Sequence, residues 1–169
     1  MQFKDIKMVV VDVDGTLTDG LFYVSDNGSL TKSFNTKDFW GLEQLQKAGL
    51  DVLILTGSTD KVIYEKVKQL PDYCKTRLLL VRGVEDKVDI IESQLRHVGM
   101  TWDNVAFIGD GGNDLEAMKK AAFTACPSDS LSIIKGESNY ESSFPGGRGA
   151  VCEIAQYLLS KIATDKEID

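Results

Sequence analysis

The sequence predicts an α/β protein, a doubly wound, Rossmann-like parallel sheet with helices on both faces. Three observations carry this. Short apolar runs recur at 8–11, 52–55, 78–81 and 105–108, and a fifth strand follows at 123–126. Unbroken runs of this kind read as strands buried on both faces. Segments of helical spacing lie between them, and strands alternating with helices form parallel, crossover-connected sheets. Several runs end in Asp, Thr or Gly, which collects polar groups at the carboxyl edge, where open α/β sheets bind ligands.

The 169 residues suffice for one domain over 1–169 with a substantial core, and 43% hydrophobic and 27% charged content is ordinary for a globular chain. A net charge of −7 argues against a nucleic-acid partner, because a phosphate backbone demands a basic surface. It leaves room for a small phosphorylated substrate held by a metal and a few local cations. No apolar run is long enough to span a membrane, and Met1–Lys7 lacks the apolar core of a signal peptide. Cys74, Cys126 and Cys152 form no Cys-x-x-Cys pair, so a reducing cytoplasm is expected.

The first strand, Met8–Val11, runs straight into Asp12-Val13-Asp14-Gly15-Thr16. Two carboxylates so close repel when both are ionised. A hard cation with oxygen ligands, such as Mg²⁺, compensates them. That chemistry suits phosphoryl transfer, with one Asp as nucleophile and the other as acid and base. The same letters also form a plain acidic turn after a strand. Leu21–Val24 and Leu30–Phe34 then read as the strands of a hairpin at about 20–34, turning at Asn27-Gly28. A lone hairpin is marginal in water, so Leu21, Phe22 and Phe34 need a partner surface.

Asp38–Ala48 carries helical spacing at Phe39, Leu42 and Leu45 and stops at Gly49. Phe39 and Trp40 are expected in the core. Val52–Leu55 leads through Thr56-Gly57-Ser58 into a helix from Thr59 or Asp60 to about Gln69, ended by Pro71. A hydroxyl at a strand end, followed by glycine and a helix start, suits an anion. Leu78–Val81 ends at Arg82-Gly83, and a helix opening at Val84–Lys87 runs through Leu95. Lys87 in its first turn opposes the helix dipole, a local conflict of the kind functional sites impose. His97, the only histidine, sits at a helix end and reads as structural.

Val105–Ile108 ends in Gly109-Asp110-Gly111-Gly112-Asn113-Asp114. The glycines let this loop curl so that Asp110 faces a metal while Asp114 enters the next helix. Phe123–Cys126 is a fifth strand, followed by a short helix over Asp129–Lys135. Gly146-Gly147-Arg148-Gly149 is too glycine-rich for core and precedes a helix from about Cys152 to Ile162; Thr164–Asp169 reads as a polar tail.

Asp12-Val13-Asp14-Gly15-Thr16-Leu17-Thr18 resembles the first motif of the haloacid dehalogenase superfamily of phosphohydrolases. Thr18-Asp19-Gly20 is similar to a narrower branch, which holds the 3-deoxy-octulosonate 8-phosphate phosphatases, the nonulosonate 9-phosphate phosphatases and the C-terminal domain of some acylneuraminate cytidylyltransferases. The resemblance continues through Thr56, Asp86-Lys87 and Gly109 to Asp114, covering about Ile6 to Ile162. It implies an Mg²⁺-dependent phosphatase of phosphorylated keto-sugar acids working through an aspartyl-phosphate. Asp12 would be the nucleophile and Asp14 the acid and base. Thr56, Gly57 and Lys87 would hold the phosphoryl group. Asp12, Asp110 and the Asp14 main-chain carbonyl would hold the metal, supported by Asn113 and Asp114, and Asp38 and Arg148 would bind substrate. The hairpin would be the whole cap, pairing with hairpins of other subunits in a homotetramer, and the Arg148 loop would extend to a neighbour's site.

Phe39 and Ser58 depart from the glycine and arginine common in octulosonate phosphatases, and Gly111 from a second aspartate. Two other readings stand beside this one. The chain could be an oligomerisation module without catalysis, or a phosphatase of the same fold for another small phosphorylated metabolite.

Overall fold

In the computed structural model, which describes residues 2–69 and 77–167, strand β1 (Met8–Asp12) is buried at every position. It is followed by a small antiparallel hairpin, β2 (Tyr23–Val24) and β3 (Leu30–Thr31). The remaining strands are β4 (Asp51–Thr56), β5 (Leu78–Arg82), β6 (Val105–Ile108), β7 (Phe123–Cys126) and β8 (Tyr140–Glu141). With β1 they form a six-stranded sheet in the order β5-β4-β1-β6-β7-β8, every pairing parallel. The chain leaves β1 towards β4 and β5, then crosses to β6 on the other side. The switch point therefore lies at the carboxyl end of β1, where a doubly wound sheet opens a crevice for ligands.

The helices are α1 (Thr36–Lys47), α2 (Val62–Val67), α3 (Lys87–Val98), α4 (Leu115–Lys120), α5 (Ser132–Glu137) and α6 (Ala150–Glu167). Alternate strand residues face opposite ways. Val9, Val11, Val52 and Ile54 pack under α1 and α6 through Leu42, Leu45, Ile154 and Leu158. Met8, Val10, Leu53 and Leu55 pack under α3, α4 and α5 through Ile91, Leu95, Met118 and Ile134. Both faces of the sheet are thus core, which is why its strands read as continuous apolar runs.

The structure departs from the sequence reading in several places. Residues 57–61 form a loop, and α2 starts only at Val62, whose amide donates to Asp60 Oδ1 at 2.9 Å. Pro71 and Cys74 lie outside the described residues. α6 continues through Glu167, so the expected polar tail is helical from Thr164 to Glu167. Asp165 in that last turn accepts from the amides of Phe3 and Lys4 and ties the helix end to the start of the chain. Phe39 is in the core, edge-on to Phe34 with ring centroids 5.7 Å apart, but Trp40 is 46% exposed because it falls on the outer face of α1. The hairpin strands are shorter than expected: pairing stops at Thr31, and Lys32 and Ser33 turn to charged partners instead. Leu21, Phe22, Tyr23 and Val24 are each at least half exposed.

Candidate active site

Four loops meet at the carboxyl edge around β1. Asp12, its last residue, is buried. Lys87 is the first residue of α3, a helix capped by Asp86, whose carboxylate accepts from the amides of Val88 and Asp89. The Lys87 ammonium contacts Asp12 Oδ1 and lies 2.5 Å from Asp114 Oδ1. The other Asp114 oxygen accepts from the amides of Asp110 and Gly111, each at 3.0 Å. Asp114 is therefore fully engaged. Asp110 accepts from the Thr16 hydroxyl at 3.0 Å. It also rests against the bare α-carbon of Gly15: at φ +92°, a Cβ there would lie 2.1 Å from Asp110 Oδ2. Only glycine combines that backbone angle with so close an approach.

Three acids share one cation here, and the carboxyls of Asp12 and Asp110 titrate accordingly. Burial, then repulsion from Asp114, raises the Asp12 carboxyl well above its ordinary range, with Lys87 opposing. Asp110 is pushed up to about 6, again by burial and then by Asp114. Burial alone would lower the Lys87 ammonium, but Asp12 and Asp114 more than reverse this and raise it. Asp12, Asp110 and Asp114 present oxygens that all lie within 4.8 Å of one another. An all-oxygen, charge-rich set of this size fits a hard divalent cation. Both Asp114 oxygens are occupied, whereas Asp12 and Asp110 are each engaged through Oδ1, which makes these two the carboxylates that could hold such an ion.

Asp14 stands beside this cluster. Its Oδ2 receives the Thr56 hydroxyl at 3.4 Å, and Thr56, buried at the end of β4, accepts from the Ser58 amide at 3.0 Å. Gly57 lies in the exposed loop that follows. Among the described residues, Asp14 forms an ion pair that sequence reasoning missed: Lys32 Nζ lies 2.7 Å from Asp14 Oδ1 and 2.6 Å from Asp60 Oδ2. A signal for it existed. Lys32 is two residues before Phe34, so on an extended chain it shares the face that Phe34 turns to the core.

Asp38 does not reach the site. It is fully buried, and its two oxygens accept from the amides of Gly149 at 3.1 Å and Cys152 at 3.0 Å. It caps α6 and fastens the preceding loop, so the expected substrate contact is corrected to a supporting one. Burial raises the Asp38 carboxyl, with those amides opposing. The Gly146–Gly149 loop is not extended either. It is docked on the loop after β1 of its own chain: the Gly147 amide donates to Thr16 O at 3.0 Å, and a Cβ at Gly146 would meet Gly15 O at 1.9 Å. Arg148 remains largely exposed and pairs with Asp19 at 3.2 Å, beside Ser33, which also donates to Asp19. Asn113 lies exposed in the turn before α4.

A doubly wound sheet that gathers an aspartate pair, a threonine, a lysine and a second acidic loop at the ends of β1, β4, β5 and β6 defines a haloacid dehalogenase-like hydrolase. A sequence model of the haloacid dehalogenase-like hydrolases matches residues 41–122. The chain is 31% identical over 158 residues to the 3-deoxy-D-manno-octulosonate 8-phosphate phosphatase KdsC of Escherichia coli strain K12, covering 92% of this chain and 80% of that one. Among solved structures it is similar to the 3-deoxy-D-manno-octulosonate 8-phosphate phosphatase of Moraxella catarrhalis in complex with magnesium ion, phosphate ion and KDO, with TM-score 0.87, 28% identity, and 98% and 92% of the two chains covered. The cobalt-bound phosphatase of Haemophilus influenzae gives TM-score 0.86 at 28% identity, covering 100% and 96%. The chain belongs to this phosphatase family of haloacid dehalogenase-like hydrolases and is a phosphoric monoester hydrolase.

Proposed function

We propose that this protein hydrolyses a phosphorylated keto-sugar acid, 3-deoxy-D-manno-octulosonate 8-phosphate or a close analogue, through an aspartyl-phosphate on Asp12. The observation that carries the reading is the buried Asp12–Lys87 pair at the switch point, with Asp14 two residues further on. Lys87 opposes the burial and acidic neighbours that raise the Asp12 carboxyl and so favours the ionised form, which a nucleophilic carboxylate requires. The Asp12 carboxylate attacks phosphorus as the bond to the sugar oxygen breaks. Asp14 gives that oxygen its proton. Asp14 then takes a proton from a water molecule, whose oxygen attacks phosphorus, and phosphate leaves with Asp12 regenerated. The Thr56 hydroxyl, the Lys87 ammonium and the Gly57 backbone are the groups offered to the phosphoryl oxygens. Mg²⁺ held by Asp12 and Asp110, with the Asp14 main-chain carbonyl, would neutralise charge on those oxygens, the dominant need in phosphoryl transfer.

The half-exposed apolar run Leu21–Val24 on a two-stranded ribbon supports assembly through the hairpins, since pairing with other copies removes both the edges and the patch. A homotetramer satisfies this. Arg148, at the root of the hairpin beside Asp19, would then bind the substrate carboxylate with its planar guanidinium.

Phosphate release tests the reading. We expect the highest kcat/KM on sugar-acid 8- or 9-phosphates and no turnover in excess EDTA. Equal efficiency on simple sugar phosphates would remove the substrate class, and full activity in EDTA would remove the metal. Light scattering should give four times the 18.6 kDa chain mass. A monomer at every concentration would remove the assembly.

A further inference from the structure

Lys32 has no part in the steps above, yet its side chain is completely enclosed, between exposed neighbours Thr31 and Ser33. An enclosed ammonium is costly unless paired, so a chain retains one where its position serves something. Its two partners differ in how firmly they are held. Asp60 is anchored from three sides: Ser58 Oγ donates to Oδ2, the Val62 amide donates to Oδ1 at 2.9 Å, and Arg82 Nη1 donates to the Asp60 carbonyl at 2.6 Å. The Phe22 ring covers the Lys32 ammonium at 4.6 Å. Asp14, by contrast, has among the described residues one long bond from Thr56 at 3.4 Å, and its buried Oδ1 meets no donor there along a hydrogen-bond direction. The 2.7 Å ion pair with Lys32 is therefore the closest restraint on that carboxylate. Ser58, which departs from the arginine common in octulosonate phosphatases, here serves Asp60.

We infer that Lys32 is a positioning residue for Asp14, braced by Ser58 and Asp60, and that the hairpin contributes to proton transfer by carrying it. Held on one oxygen by Lys32, Asp14 keeps the other directed towards Thr56 and the phosphoryl pocket. The inference rests on the reading that Asp14 is the acid and base. It makes the hairpin part of the catalytic apparatus as well as an assembly surface.

The test uses Lys32→Met, Lys32→Arg and Asp60→Asn in the full chain, with Mg²⁺, on two substrates. On 3-deoxy-D-manno-octulosonate 8-phosphate, Lys32→Met should lower kcat by about 30- to 300-fold with KM within about threefold. On p-nitrophenyl phosphate the leaving group needs no proton, so only the later, water-activating step should suffer. A burst of p-nitrophenolate near one per active site should then precede slow turnover. Lys32→Arg should recover much of the rate. Asp60→Asn, which leaves the lysine in place but loosens it, should lose about 3- to 10-fold in kcat and covers the case in which Lys32→Met does not fold. A rise in KM with kcat kept would make Lys32 a substrate contact. Wild-type rates, or burst and turnover falling together, would overturn the positioning role. If the wild type cleaves only p-nitrophenyl phosphate, the sugar-acid assignment fails while the burst experiment still decides on Lys32.

Discussion

Asp110→Asn keeps the side chain's shape and its acceptor for the Thr16 hydroxyl, but removes one of three crowded acids. In the folded protein the Asp110 carboxyl titrates at about 6, raised from 3.8 by burial first and Asp114 second. Between those two values the folded chain keeps a proton that the unfolded chain has lost. Stability therefore falls as pH rises through about 4 to 6 and stays low above it. At 1.36 kcal/mol per unit, ionised Asp110 costs up to about 3 kcal/mol without metal. Asparagine lifts that cost. In EDTA at pH 8 the variant should be more stable than wild type by roughly 2–3 kcal/mol, or about 4–12 °C in Tm for a domain of this size. At pH 4 the gap should close, because Asp110 is then protonated in the folded wild type. Mg²⁺ should reverse the order: the wild type gains about 4 kcal/mol at a thousandfold excess over Kd. The variant, short of a ligand, should gain little and turn over poorly. Thermal unfolding followed by circular dichroism at pH 4, 6 and 8, with Mg²⁺ or EDTA, measures every arm. A variant less stable than wild type in EDTA at pH 8, or a gap equal at pH 4 and pH 8, would refute the electrostatic account.

Asp12→Asn should abolish turnover while leaving the far-ultraviolet circular dichroism unchanged; a residual rate above about a tenth of wild type, a barrier change under roughly 1.4 kcal/mol, excludes Asp12 as nucleophile. Asp38→Ala leaves two buried amides without their acceptor, so Tm should fall by the equivalent of roughly 2–3 kcal/mol with KM little changed. A rise in KM with stability intact would restore Asp38 as a substrate contact. Gly146→Ala forces a methyl group onto Gly15 O and should cost about 1–3 kcal/mol together with kcat. Wild-type kcat and Tm in that variant would mean that the C-terminal loop does not brace the catalytic loop.

The sheet was legible because each central strand is buried on both faces, so Val9-Val10-Val11 and Val52-Leu53-Ile54-Leu55 needed no alternation to be recognised. The helix face at Leu42 and Leu45 followed from their spacing. What escaped was structure too short to have a period: Tyr140–Glu141, and the true length of the hairpin strands. The start of α2 escaped because Asp60 reads as a helix start but spends its carboxylate on Lys32 and Ser58 as well as on the Val62 amide. At the site, Asp12 and Thr56 stand out in the sequence because each directly ends an apolar run, and Asp14, Asp110 and Lys87 because each follows such a run by two to six residues. Lys32 follows no such run, and its meaning depends on Asp14 and Asp60, 18 and 28 residues away, which only the fold brings within one ammonium's reach.

The Gly146–Gly149 loop carries a different lesson. Glycine has two uses, reach and close contact, and composition does not separate them. Here contact prevails. Gly15 lets the Asp110 carboxylate lie against its α-carbon on one side, and offers its carbonyl to the bare α-carbon of Gly146 on the other. The Gly147 amide then closes onto Thr16 O, and Asp38 holds the amides of Gly149 and Cys152 just behind. The loop after β1 is thus pressed between the loop after β6 and the loop before α6, against the Asp110 side chain on one side and backbone to backbone on the other. A cluster of three acids sharing one lysine would otherwise push its own loops apart. Interlocking through glycine leaves those loops little freedom to relieve the repulsion by moving. Relief comes instead from a proton taken up by a raised carboxyl, or, in the proposed chemistry, from a bound cation.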